Sequence, residues 1–64
     1  MENTSILETL MRGDKVEFGT IVFKGNTKAS KIEIFVNKNC EAIYDLTEEG
    51  LTEAIKLKNI YTNL

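Results

Sequence analysis

The stretch Lys31-Ile32-Glu33-Ile34-Phe35-Val36-Asn37 decides the fold, because apolar and polar residues alternate in it with a period of two. Ile32, Ile34 and Val36 fall on one face of an extended chain, and the residues between them fall on the other. Phe35 is the one aromatic residue on the otherwise polar face. The pattern predicts a strand that buries its aliphatic face.

Turn-forming residues stand on both sides of this strand. Gly25-Asn26-Thr27-Lys28 precedes it and Asn37-Lys38-Asn39-Cys40 follows it. Glycine and asparagine tolerate the backbone conformations that tight turns require. Connections this short join antiparallel strands, so a meander is expected.

A second strand is predicted over Lys15–Lys24, where most residues are β-branched or aromatic. Its alternation changes phase in the middle: Val16 and Phe18 share one face, whereas Ile21 and Phe23 share the other. Gly19 lies at the phase change, so a β-bulge or kink is expected there. A third strand is predicted over Glu41–Leu46, with one face formed by Ala42, Tyr44 and Leu46.

The first helix is predicted at the start of the chain. Ser5 and Glu8 have the spacing of a capping box, in which each side chain accepts the other's backbone N–H. Gly13 is placed to end the helix. The apolar face of this helix is formed by Leu7, Leu10 and Met11.

The last helix is predicted to begin after Thr47, whose hydroxyl can cap it. Glu48 and Glu49 then lie in the first turn, where a negative charge interacts favourably with the positive end of the helix dipole. The apolar stripe of this helix recurs at three- and four-residue steps in Leu51, Ala54, Leu57, Tyr61 and Leu64, widened by Ile55 and Ile60.

The expected fold is therefore a single α+β domain over residues 1–64, with the order α-β-β-β-α. Three strands form an antiparallel sheet, and two helices bury their apolar stripes on one of its faces. Sixty-four residues leave no room for a second domain.

Composition excludes most enzyme chemistry. The chain has no histidine and one cysteine, Cys40, so it cannot form a Ser-His-Asp triad, a Cys-His pair, an internal disulfide or a cysteine zinc cluster. The glycines match no phosphate-binding or dinucleotide motif. We expect no catalytic residues, no metal site and no cofactor.

Size and hydropathy bear on the localisation and the oligomeric state of the chain. No apolar run approaches the roughly 18 residues that span a membrane, and residues 1–11 do not have the pattern of a signal peptide. One free thiol is typical of the cytoplasm. A domain this small buries little surface, so a homodimer or another partner is an expected source of stability.

The net charge of −2 divides into two unlike segments. Between residues 24 and 38, four lysines and one glutamate give +3. Between residues 41 and 53, five acidic residues and no basic residue give −5. Carboxylates fixed along one element can imitate phosphates and bind a basic groove of another protein. The acidic candidates are Glu41, Asp45, Glu48, Glu49 and Glu53.

The element order and the acidic surface resemble those of small phage anti-CRISPR proteins that inhibit the Cas9 nuclease. The resemblance lies in the helix Ile6-Leu7-Glu8-Thr9-Leu10 with its exit at Gly13-Asp14, in the strand Lys31–Val36 with the turn to Glu41, and in the acidic helix start. It implies an inhibitor of a bacterial protein, such as a Cas nuclease, in the host cytoplasm. The side chains that it places in the partner's DNA-reading site are Asp14, Asn37, Asn39 and Glu41.

Two other functions remain open from the sequence. A small nucleic-acid-binding regulator would use the lysines of the basic segment, Lys24, Lys28, Lys31 and Lys38. Double-stranded RNA-binding domains share the predicted element order but have lysines at the start of the last helix, where this chain has glutamates, so that mode is disfavoured. The other alternative is a homodimeric structural subunit.

Overall fold

Two helices cover one face of a four-stranded antiparallel sheet in the computed structural model, which describes residues 2–63. The strands lie side by side in chain order, so β1 and β4 are the edges. The elements are α1 Glu2–Met11, β1 Lys15–Phe18, β2 Ile21–Asn26, β3 Lys31–Val36, β4 Asn39–Asp45 and α2 Glu48–Thr62. None of the described helices is long and apolar enough to cross a membrane.

The prediction of three strands is wrong, because Lys15–Lys24 forms two strands rather than one. The chain reverses at Gly19 and Thr20, and Phe18 pairs with Ile21 across this two-residue turn. Gly19 has φ +68° at the first turn position, as a type II′ hairpin requires. The element order is therefore α-β-β-β-β-α.

The phase change that suggested a bulge is the signature of this hairpin. Residues paired across a hairpin point to the same face, and Val16 pairs with Phe23. Val16 and Phe18 before the turn therefore share the helix-covered face with Ile21 and Phe23 after it. The alternation within each strand is regular, and the turn accounts for the phase change.

The prediction for β3 is confirmed, and β4 begins two residues earlier than expected, at Asn39. Asn37 and Lys38 form a two-residue turn with φ +51° and +71°, typical of type I′. The register between β3 and β4 shifts once, and Glu41 is left as the extra residue of a β-bulge.

A core of eight aliphatic and aromatic side chains lies between the helices and the sheet. Phe23, Ile32 and Ile34 are completely buried at its centre. The ring of Phe18 meets that of Phe23 edge-on, and the Lys58 ammonium lies 5.1 Å from the Phe18 ring centroid. The full core consists of Leu7, Leu10, Ile21, Phe23, Ile32, Ile34, Leu51 and Ala54.

The start of α1 differs from the prediction, whereas its end agrees. The helix begins at Glu2, so Ser5 lies inside it and the expected capping box is wrong. Within the helix, the Ser5 carbonyl accepts a hydrogen bond from the Thr9 hydroxyl at 3.0 Å. Gly13 ends the helix as predicted, with its N–H donating to the Leu10 carbonyl at 2.9 Å. Met11, expected on the apolar face, is 51% exposed.

The prediction for the start of α2 is confirmed, because the Thr47 hydroxyl accepts the N–H of Gly50 at 3.0 Å. The expected stripe is buried at Leu51 and Ala54 and half-buried at Ile55, Leu57 and Tyr61. Ile60 is exposed and does not belong to the stripe, and Leu64 lies outside the described residues.

Two glycines permit close contacts between elements. A Cβ atom at Gly25 in β2 would overlap the backbone of Leu10 in α1. A Cβ atom at Gly50 in α2 would overlap the carbonyl oxygen of Asp45 in β4. Each helix is therefore held against the sheet at a distance that only glycine allows.

Candidate partner-binding surface

The end of β4 and the first two turns of α2 form an exposed corner with four acidic side chains. The two elements are joined by Leu46 and Thr47, and the Leu46 N–H donates to the Ser30 carbonyl at 3.0 Å. The Thr47 cap and the close contact at Gly50 fix the start of the helix against β4. We call the following residues the acidic corner: Asp45, Glu48, Glu49 and Glu53.

Two of the four carboxylates have a basic neighbour. Asp45 pairs with Lys31 at 2.6 Å, and Glu53 pairs with Lys56 at 3.4 Å. Among the described side chains, no basic group lies within ion-pair distance of Glu48 or Glu49. The negative charge of the corner is therefore concentrated at the start of α2, where the helix dipole also favours it.

A groove between α1 and α2 adds a carboxylate that sequence reasoning placed elsewhere. Leu7 and Met11 of α1 face Leu51 of α2 across a cavity of about 250 Å³, with Glu8 and Glu48 at its rim. The spacing of Ser5 and Glu8 places Glu8 in a capping box, and only the packing of α1 beside α2 brings it near the acidic corner. No spacing within the sequence contains that information.

Three of the four residues implied by the anti-CRISPR resemblance lie together at the β3–β4 turn, far from the acidic corner, and the fourth lies apart from both. Asn37 and Asn39 are at the β3–β4 turn, roughly 20 Å along β4 from Asp45 at 3.3 Å per residue. Glu41 lies beside that turn, in the bulge. Asp14 precedes β1, three strand spacings or about 14 Å from β4. The eight predicted residues therefore form three groups, of which the acidic corner is the largest.

The four lysines of the basic segment also lie apart. Lys24 and Lys28 line a shallow depression near the β2–β3 turn, together with Glu33. Lys31 is paired with Asp45. Lys38 belongs to the β3–β4 turn, at the opposite end of the sheet. These positions do not form one continuous basic edge.

The polar side chains of the described residues lie at the surface of the molecule. None of their polar or charged side chains is buried, and no three acidic or cysteine side chains among them are close enough to hold a metal ion. Cys40 is exposed, and its thiol donates a hydrogen bond to the Ala42 carbonyl at 3.8 Å.

Comparisons with family models, with curated protein sequences and with solved structures found no match to this chain.

Proposed function

We propose that this protein is a non-enzymatic inhibitor that binds a basic surface of a bacterial protein through the acidic corner. A groove that normally holds nucleic acid is the kind of surface it would occupy, because carboxylates can take the place of phosphates. An origin in a phage or mobile element, and a defence nuclease of the Cas type as target, follow from the resemblance of the sequence.

The observation that carries the proposal is the pair Glu48 and Glu49. They are exposed, they lie at the start of a helix whose position is fixed by the Thr47 cap and by Gly50, and no described basic side chain neutralises them. Because the helix backbone that carries them is already in place, only their side chains lose freedom when a partner binds, and their charge contributes to association rate and specificity.

The test is capture of a partner from bacterial lysate by the immobilised protein, followed by an activity assay on what is captured. We expect the Glu48→Gln/Glu49→Gln variant to lose capture at low salt, and 0.5 M salt to release the partner from the original protein, because screened charges attract weakly (Debye length about 3–5 Å at such concentrations). A captured protein whose nucleic-acid binding is blocked would support inhibition.

The matched control is Glu17→Gln/Glu41→Gln, which removes the same charge from exposed positions away from the corner. Capture that survives Glu48→Gln/Glu49→Gln but not the control would move the contact to the end of the sheet that carries the β1–β2 and β3–β4 turns, where Glu17 and Glu41 lie. The Cas-type target is tested separately with purified Cas9 and guide RNA: unchanged DNA cleavage with excess protein would reject that target and leave the binding proposal to the lysate experiment.

A further inference from the structure

The face of the sheet opposite the helices is not covered by any described part of the chain. Antiparallel sheets often leave one face to water, and such a face is then polar. We call the following outward-facing residues of the four strands the open face: Lys15, Glu17, Val22, Lys24, Asn26, Lys31, Glu33, Phe35, Cys40, Ile43 and Asp45.

The open face has an apolar centre. Val22 pairs with Phe35, and Phe35 pairs with Cys40, so the three form a row across β2, β3 and β4. Ile43 lies diagonally next to this row and is 56% exposed. A contiguous apolar patch of this kind, surrounded by charges, is typical of an interaction site.

The charges around the patch are arranged for a second copy of the same face. Lys24 and Glu33 occupy the two central strands at the same level, as cross-strand neighbours. Val22 and Phe35 occupy the same two strands one level further along. A two-fold axis that runs between β2 and β3, parallel to them, would place each lysine over the other copy's glutamate and each valine over the other copy's phenylalanine.

We propose that two copies of this chain pair through their open faces about this axis. On the edge strands Lys15 lies over Ile43 and Glu17 over Cys40, at the periphery of the interface, where both charged groups still reach water and no like charges meet. A two-fold axis perpendicular to the strands would instead pair Lys15 with Glu17 at the periphery, but it would place Lys24 over Val22 and Glu33 over Phe35 on the two central strands and bury both charges against apolar groups. The charge pattern therefore selects the parallel axis.

The open face is small for a dimer interface. Four strands at about 4.8 Å spacing and six residues at about 3.3 Å give roughly 400 Å² per copy, or about 800 Å² in total. Interfaces of this size are at the low end for specific complexes and are reversible. We expect a monomer at low micromolar concentration and a dimer as concentration rises toward millimolar.

A charge exchange between two variants tests this arrangement. In Lys24→Glu alone, glutamates face glutamates twice, and in Glu33→Lys alone, lysines face lysines twice. Sedimentation equilibrium should show each variant dimerising roughly tenfold or more weakly than the original chain. An equimolar mixture should recover dimerisation, since both pairs are then matched. If each substitution weakened the dimer only by repulsion within its own chain, mixing the two variants would not restore dimerisation.

A pair of isoleucine variants provides the matched control. Ile43→Ser on the open face should weaken the dimer, whereas Ile60→Ser on α2, equally exposed, should not. Three results would overturn the proposal: a monomer at millimolar concentration, a dimer unaffected by Lys24→Glu, or no recovery on mixing. A gel shift of single-stranded oligonucleotide that Phe35→Ser abolishes, without any dimer, would assign the face to nucleic acid instead.

Discussion

Gly25 and Gly50 show what single residues contribute to this fold. The sequence marks Gly25 as part of a turn, but it lies inside β2 and is buried beneath Leu10. Gly50 is the third residue of α2, a place where glycine is usually unfavourable by about 1 kcal/mol relative to alanine. Neither role could be predicted, because each depends on how closely the backbone of another element packs, that of α1 for Gly25 and that of β4 for Gly50.

We expect Gly50→Ala to destabilise the protein by about 1–3 kcal/mol or more, despite the higher helix propensity of alanine, because the new methyl group would overlap the Asp45 carbonyl oxygen. Urea unfolding followed by circular dichroism measures the change. Asn59→Ala, at an exposed position of the same helix, is the control and should change the free energy of unfolding little. A Gly50→Ala variant as stable as the control would contradict the close packing.

At the scale of elements, the sequence predicted best where one signal acts alone. The alternation of β3, the Thr47 cap and the glycine that ends α1 were all found from local pattern. The β1–β2 hairpin was missed because the residues Gly19 and Thr20 allow a bulge as well as a turn. A bulge and a turn are distinguished only by the strand with which each segment pairs, and this pairing is not visible in the local pattern.

The β3–β4 hairpin contains a conformational cost that a substitution can remove. Lys38 has φ +71°, a region in which an L-residue other than glycine or asparagine is strained by roughly 1 kcal/mol. Part of the gain from glycine is lost to its greater freedom in the unfolded chain. We expect Lys38→Gly to raise the free energy of unfolding by up to about 1 kcal/mol, measured by thermal unfolding.

The control for the hairpin is Lys28→Gly in the β2–β3 turn. Lys28 is exposed and is not among the described residues with positive φ, so glycine there should give no gain. Equal stabilisation by both variants would indicate an effect of charge rather than of backbone conformation.

At the scale of the whole molecule, the residue patterns along the chain predicted the class of the fold but not its surfaces. An α+β chain with two helices and an antiparallel sheet followed from the order of patterns. The groups into which the acidic and basic residues fall depend on which strand ends lie side by side. The structure has one strand more than the sequence predicts, and this changes those neighbours. The addition of Glu8 to the acidic surface likewise required the packing of the two helices.

A molecule with eight core residues has little stability to lose. Domains have about 0.05–0.15 kcal/mol of stability per residue, or about 3–10 kcal/mol for this length. Removing a buried phenylalanine ring costs about 3–5 kcal/mol. Phe23 is completely buried, so we expect Phe23→Ala to lose about 3–5 kcal/mol of its free energy of unfolding, about a third of the total or more, measured by urea unfolding with circular dichroism.

Phe35→Ala is the counterpart of that experiment, because Phe35 is half-buried on the open face. At low micromolar concentration, where we expect a monomer, this variant should remain folded. Similar losses in the free energy of unfolding of Phe23→Ala and Phe35→Ala would mean that both faces of the sheet contribute equally to stability.

The close contacts at Gly25 and Gly50 also constrain how this protein can diverge. Most exposed positions can change freely over evolution, including the charges that select a partner, whereas any side chain at these two positions would push a helix away from the sheet. Distant homologues could therefore differ in almost every surface residue and still keep two glycines, one within the second strand and one in the first turn of the last helix. Searching for that pair in short sequences of the same element order would trace the lineage after overall similarity has disappeared.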